Sequence, residues 1–217
     1  MYYFPDSPRQ QKQRRTLVAE IRRKGIADER VLEAIGRVPR HLFMSAGYSE
    51  DAYVDSAFPI GEGQTISQPY TVAYQTALLQ VEPGQRVLEI GSGSGYQAAV
   101  LGAMGAAVYS VERIAALYHR LATQPWRPLY PDVHFYYGDG NEGLPQEAPF
   151  DRVLITAAAP DWSDVLLEQL LPGGCLVLPF DNGGAHQQML RLWKEEGGVR
   201  REAFGFFSFV PLRRGVE

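Results

Sequence analysis

Two short stretches carry most of the chemistry this chain can perform. The first is Val87-Leu88-Glu89-Ile90-Gly91-Ser92-Gly93-Ser94-Gly95-Tyr96 and the second is Val108-Tyr109-Ser110-Val111-Glu112. Together they read as a buried strand, a glycine turn, a helix, and a second strand that ends in an acid. Glycines at alternate positions let the backbone pass close beneath a ligand with no Cβ in the way. An acid closing the next strand is placed to take both hydroxyls of an adenosine ribose. Nicotinamide or flavin dinucleotides and S-adenosylmethionine both use that arrangement. A dinucleotide fingerprint needs Gly-x-Gly-x-x-Gly, and Tyr96 stands where its third glycine belongs. Glu89, two residues ahead of the first glycine, would repel a pyrophosphate but suit a cationic amino acid and a sulfonium. The expected cofactor is S-adenosylmethionine, taken by Glu89, Gly91, Ser92, Gly93, Gly95 and Glu112. A glycine turn that only packs a helix on a strand leaves Glu112 unexplained.

Other candidate residues carry two readings each. Asp139, in Gly138-Asp139-Gly140, follows a predicted strand. Its carboxylate could accept a hydrogen bond from an adenine amino group, with Gly140 leaving room, but Asp-Gly is also a plain turn signal. Thr156-Ala157-Ala158-Ala159-Pro160 puts small side chains after another strand. They open space for a substrate near the methyl group, or let backbone segments pack closely. Ser67 precedes a predicted helix, so it is either an N-cap or a hydroxyl aimed into the cleft. His41, His119, His134 and His186 are scattered, and His119 and His134 read as structural or surface groups. No base–nucleophile pair of the usual hydrolase kinds is present, which fits methyl transfer to a group that is already an anion.

The elements that must position these residues follow from periodicity and punctuation. A helix is predicted over 7–24 with Pro8 in its first turn, ended by Gly25, and a second follows Asp28 and stops at Pro39. Residues 43–66 show no period and read as a long functional loop. A helix opens at Ser67-Gln68-Pro69 and runs to Leu79. Strands are then predicted over 86–90, 107–111, 133–137, 152–156 and 175–180, with helices over 96–104, 114–123 and 164–170. Two late strands, 187–194 and 204–210, are joined by Glu196-Gly197-Gly198 and an irregular stretch and form an antiparallel hairpin at a sheet edge. Strands alternating with helices imply an α/β, doubly wound, mostly parallel sheet whose ligand lies beyond the strand C-termini. Residues 1–80 make a helical extension carrying the loop, and 81–217 make the cofactor-binding core, within one domain.

Bulk properties narrow the class. The 217 residues suffice for one α/β domain with a sizeable core. No apolar run approaches a membrane span, and the N-terminus lacks the pattern of a signal peptide. The single cysteine, Cys175, excludes an internal disulfide, and no Cys/His cluster points to a metal. A reducing cytoplasm is the expected location. The net charge of −4 argues against a nucleic-acid binder. Residues 1–45 nonetheless hold ten Lys or Arg against five acids. That excess is a solvated basic face or a surface for acidic peptide segments.

Several motifs in matching order resemble the protein-L-isoaspartate O-methyltransferase family. They are Arg37-Val38-Pro39-Arg40, the run from Pro59 through Thr65-Ile66-Ser67-Gln68-Pro69 to Tyr70, the Val87 to Tyr96 loop, Glu112-Arg113, Gly138-Asp139-Gly140, Ala157-Ala158-Ala159-Pro160 and Phe209-Val210-Pro211-Leu212. The likeness spans residues 17–212. It implies a seven-stranded methyltransferase sheet with an antiparallel hairpin at its end. It also implies transfer of a methyl group to the free α-carboxylate of L-isoaspartyl residues in damaged proteins, which begins their repair through a succinimide. By that resemblance Ser67 is the active-site serine, and Gln64, Thr65, Ile66 and Ser67 border cofactor and substrate. Glu112 and Asp139 hold ribose and adenine, with Arg113 and Gly140 beside them. Its partners would be isoaspartyl peptides and proteins, with no nucleic acid or membrane, and the chain would act as a monomer. A modifier dedicated to one partner peptide and a non-catalytic cofactor-binding adaptor are the rival readings. The pattern departs at residues 1–16, at the proline-rich 124–131, at Tyr70 where eukaryotic relatives carry histidine, and at Arg213 where many carry threonine.

Overall fold

The computed structural model describes residues 6–161 and 164–217. Ser7 opens helix α1 (Pro8–Arg23) with a capping box: its hydroxyl accepts the Gln10 N–H, and the Gln10 side chain accepts the Ser7 N–H. Gly25, at φ +104°, ends it. The Asp28 carboxylate accepts the Arg30 N–H and opens α2 (Glu29–Arg37). Leu17 and Ile21 of α1 and Val31, Leu32 and Ile35 of α2 are buried in one core. The basic excess of this region is largely paired: Arg14 with Asp6, Arg22 with Glu29, Lys24 with Glu20, Arg30 with Glu82 and Arg37 with Glu33. That arrangement favours a solvated face over a free basic surface.

The stretch expected to be loop between Phe43 and Ile66 is more ordered than its pattern implies. Two short 3-10 turns (Arg40–Phe43 and Ala46–Asp51) lead to an antiparallel hairpin of β1 (Phe58–Gly61) and β2 (Gln64–Ile66). Glu62 and Gly63, both at positive φ, make its turn. Strands of four and three residues, interrupted by Pro59 and Gly61, are too short to display alternation. Helix α3 (Pro69–Leu79) follows directly.

A seven-stranded sheet then forms from β3 (Arg86–Ile90), β4 (Ala107–Glu112), β5 (Val133–Tyr137), β6 (Phe150–Ile155), β7 (Leu170–Phe180), β8 (Gln187–Glu195) and β9 (Gly198–Phe207). The spatial order is β5-β4-β3-β6-β7-β8-β9. The first five are parallel, and β8 and β9 run antiparallel at the edge, as expected. Helices α4 (Tyr96–Ala103), α5 (Ala115–Ala122) and α6 (Asp164–Glu168) make the crossovers. Val87, Val108, Leu154 and Val177 pack on Leu79 of α3 and Leu101 of α4. Leu88, Ile90, Val153 and Leu176 face the other way, toward Leu166 and Leu167 of α6. The period of two in each strand divides these layers.

Two boundaries move. β7 begins at Leu170 because Phe150 pairs with Leu170 across a bulge, although Pro172-Gly173-Gly174 reads locally as a turn. β9 spans Gly198–Phe207 and not 204–210, since Glu195 pairs with Gly198 across the two-residue turn Glu196-Gly197. Its polar start, Arg200-Arg201-Glu202, hides the strand. Glu202 accepts from Arg191 and Trp193 of β8 and from Arg200, and the Arg191 bond leads in holding its carboxyl down at about 2. Strand order reverses at β3, with β4 on one side and β6 on the other, so a crevice opens at their C-terminal ends. Among the described residues no helix is long and apolar enough to cross a membrane, and no group of His, Cys, Asp and Glu could hold a metal.

Candidate active site

That crevice is a cleft walled by the ends of β3 and β4, the segment from Gln64 to Ser67 and the chain from Val210 to Arg213. The loop leaving β3 forms its floor. Gly91 sits at φ +98°, and a Cβ there would lie 2.5 Å from Thr156 Oγ1. Gly95 sits at φ +81°, and a Cβ there would lie 2.6 Å from the ring of Trp126, which is fully buried. Gly140 leaves room of another kind, since its Cβ would lie 2.3 Å from Ile90 Cγ2.

Glu112 ends β4 on the cleft wall and is buried. Its Oε2 accepts the Gly93 N–H and its Oε1 the Ile114 N–H, each at 2.9 Å. Each oxygen keeps a lone pair for a ligand hydroxyl. Glu89 lies behind the loop, fully buried and off the cleft wall. Ser110 Oγ donates to its Oε2 at 2.5 Å, and Ser92 Oγ, on the wall, lies 2.6 Å from Ser110 Oγ. Its Oε1 is buried without a partner among the described residues. Burial pushes the Glu89 carboxyl up to about 8, against the Ser110 bond that lowers it, and the Glu112 charge adds to the rise. An acid that keeps its proton up to about pH 8 offers a hydrogen-bonding group beneath the loop and not the full negative charge its position in the sequence suggests.

Asp139 also stands off the wall, which Gly140 lines. Its Oδ1 accepts the backbone and side-chain N–H groups of Asn141, and its Oδ2 accepts the Gly215 N–H at 2.6 Å. Burial raises its pKa, but these bonds and the Arg113 charge outweigh that and hold it below the ordinary carboxylate range. Arg113 donates to the Gly215 carbonyl and pairs with Glu217, while Ala115 N–H bonds Glu217 O. Asn141 also donates to the Arg213 carbonyl. Residues 211–217 thus form a strap along the cleft beside Gly140.

Ser67 lies half-buried on the cleft wall. It is not the N-cap of α3: Gln68 holds that place, and no side chain of its own caps the helix. Asp55 supplies the missing acceptor from outside the helix. Its carboxylate, 3% exposed, takes the Tyr70 N–H at 2.7 Å, the Gln68 side chain at 3.0 Å and Lys24 Nζ at 2.5 Å. The Ser67 backbone is held separately, its carbonyl accepting from Arg40 Nη2 at 3.1 Å. Fully buried Arg40 also donates to the carbonyls of Ala52 and Ser56. With the helix capped elsewhere, the Ser67 hydroxyl is available to the cleft.

The alanine run divides between cleft wall and close packing. Thr156 and Ala157 line the cleft, whereas Ala158 and Ala159 bridge closely to Pro211 and Phe180. His119 and His134 are exposed, and His41 is buried against the Tyr53 hydroxyl at 2.7 Å. The cleft brings together Gln64, Thr65, Ile66, Ser67, Gly91, Ser92, Gly93, Glu112, Arg113 and Gly140. Glu89, Gly95 and Asp139 support it from behind. Sequence reasoning missed Asp55 altogether, because a cap fifteen positions away leaves no local pattern. It met Arg40 only as part of a motif.

A doubly wound seven-stranded sheet, a glycine loop after its first strand in sequence and an acid ending the neighbouring strand define an S-adenosylmethionine-dependent methyltransferase. Residues 11–217 match the family described as protein-L-isoaspartate(D-aspartate) O-methyltransferase, and the chain belongs to that family. It is 48% identical over 209 residues to the protein-L-isoaspartate O-methyltransferase of Flavobacterium psychrophilum, covering 95% of this chain and 97% of that one. It is 51% identical over 200 residues to that of Cytophaga hutchinsonii, covering 92% and 90%. A solved protein-L-isoaspartate O-methyltransferase superposes with a TM-score of 0.83 at 26% identity, over 91% of this chain and 65% of that one. A Plasmodium falciparum structure in complex with S-adenosyl-L-homocysteine has the same fold, with a TM-score of 0.80 at 23% identity over 92% and 98%.

Proposed function

We propose that this chain methylates the free α-carboxylate of L-isoaspartyl residues in aged proteins. Bound S-adenosylmethionine supplies the electrophilic methyl group. The resulting ester loses methanol when the next backbone nitrogen attacks it, and the succinimide so formed opens partly to normal aspartate. A carboxylate is ionised at neutral pH, so no general base is required. The chain's task is to desolvate that carboxylate and hold it in line.

The observation that carries this reading is the Ser67 hydroxyl, left free of capping duty on the cleft wall by Asp55. In this role Ser67 donates a hydrogen bond to the substrate carboxylate. Gln64, Thr65 and Ile66 border both ligands. Glu112 accepts the ribose hydroxyls, and Asp139 Oδ2 keeps a lone pair for an adenine amino group. Gly91, Ser92, Gly93 and Gly95 form the cradle, with Glu89 behind it as a hydrogen-bonding group. Arg113 and Gly140 flank the adenine end. Within one domain, residues 1–80 contribute the serine loop and 81–217 the cofactor core.

The chain acts as a monomer in this reading. A reducing cytoplasm suits it: Cys175 is buried, and burial pushes its thiol up to about 11. The deciding experiment is labelled methyl transfer to paired peptides that differ only in L-aspartate versus L-isoaspartate. Strong transfer to the isoaspartyl member and near-background transfer to its pair is the expected result. Equal rates, or activity confined to a single partner protein, would replace repair with a dedicated modification.

A further inference from the structure

A second, more open groove adjoins the cofactor cleft and shares Thr65, Ser67, Thr156 and Val210 with it. It therefore continues outward from the place where the reacting carboxylate would sit. It offers far more room than one carboxylate needs. Four of its lining residues, Tyr70, Phe206, Phe207 and Phe209, carry aromatic rings. Tyr70 at the start of α3 meets Phe207 at the end of β9, nearly parallel, with ring centroids 6.5 Å apart, and Tyr74 lies 5.0 Å from Phe207. Phe209 follows, and Phe206 stands at the rim with 64% of its surface exposed, the most of any large apolar residue described. A lone exposed phenylalanine needs no explanation, but several rings around one groove mark a contact surface.

The Lys24 ammonium, the Gln68 amide and His186 in the groove are already engaged within the chain. Lys24 Nζ is held by Asp55 at 2.5 Å and Glu20 at 2.8 Å, with the Tyr70 ring 5.8 Å away. His186 Nδ1 lies 2.9 Å from Ser208 Oγ. Asp55 takes the Gln68 side chain as well. An occupant thus gains little by bringing charge and most by burying an apolar side chain against the rings.

We propose that this groove seats an aromatic side chain neighbouring the isoaspartyl residue, which makes Phe206 a determinant of substrate choice. The proposal rests on the methyl-transfer reading above. Its consequence is a filter: large apolar side chains are mostly buried in intact proteins, so a groove that needs one selects segments that have come loose.

The test is steady-state methyl transfer to isoaspartyl peptides carrying Phe, Ala or Glu on either side of the damaged residue. It uses the unaltered chain, Phe206→Ala and Phe206→Leu. The unaltered chain should show a KM about tenfold lower for a Phe-flanked peptide than for its Ala-flanked reference, from ring contact plus burial. Phe206→Ala should erase that difference through KM and not kcat, and Phe206→Leu should restore part of it. Calorimetric affinity for S-adenosylhomocysteine monitors the neighbouring cleft in each variant. Equal KM across the flanks, a preference for Glu, or a difference that survives Phe206→Ala would overturn the proposal. Failure to methylate any isoaspartyl peptide would instead remove the reading beneath it.

Discussion

At the residue scale, three side chains separate binding, catalysis and stability. Glu112 engages two backbone N–H groups and still offers lone pairs to the cleft. Glu112→Ala should weaken S-adenosylhomocysteine roughly 10- to 100-fold by calorimetry, the cost of a charged hydrogen-bond acceptor. An unchanged Kd would make it an anchor of the loop and nothing more. Ser67 and Asp55 divide between them what one capping serine would do alone. Ser67→Ala should leave the melting temperature almost unmoved while slowing single-turnover transfer at least about tenfold. Asp55→Ala should cost about 1–3 kcal/mol of stability, because Tyr70 N–H, Gln68 and Lys24 lose their acceptor. If Ser67→Ala melts low and transfers at the original rate, the serine is structural. Glu89 adds a pH dependence. With its carboxyl raised to about 8, the folded chain keeps a proton there that the unfolded chain releases. The stability gained from it is complete below the ordinary carboxylate range and disappears as pH rises through 8. Melting should therefore fall from about pH 6 to about pH 9, and the fall should be shallower in Glu89→Gln.

At the scale of elements, what was legible depended on burial and length. β3 and β5 begin and end where the pattern places them: β3 is buried inside the parallel sheet and mostly apolar, and β5, at the sheet edge, is an aromatic-rich run that ends at Gly138. The hairpin at Phe58–Gly61 and Gln64–Ile66 carried none, since its strands are shorter than the pattern that would betray them. The helix start at Pro69 was readable, but its cap was not, since a tertiary contact replaced the local one. Likewise the glycine loop announced itself, while the groove did not, because Tyr70 and Phe207 meet only through the fold. The loop depends on its glycines to unequal degrees. Gly95→Ala combines a positive φ with a clash against Trp126, so it should cost at least about 2 kcal/mol and lower the melting temperature by several degrees. Gly25→Ala shares the positive φ but meets nothing within 4 Å. It should cost only about 1 kcal/mol, and equal losses at the two sites in thermal melting would rule out packing as the cause.

At the scale of the whole molecule, the hairpin, the segment that leads into α3, the end of the interior strand β6 and the segment after β9 meet at four residues. Thr65, Ser67, Thr156 and Val210 are walls of the cofactor cleft and of the aromatic groove at once. Whatever fills one side fixes the partition for the other, so the cost of ordering it falls once for two ligands. The two binding equilibria are then thermodynamically linked, and linkage is symmetrical. S-Adenosylhomocysteine should tighten an unreactive isoaspartyl peptide by the same factor that the peptide tightens S-adenosylhomocysteine, about 5-fold or more. Two titrations, each run with and without the other ligand, close that cycle. Independent affinities would mean that the shared wall is rigid before either ligand arrives. With coupling of this sign, an accumulating demethylated product would hold isoaspartyl chains on the enzyme without reaction, and turnover would be paced by what clears that product.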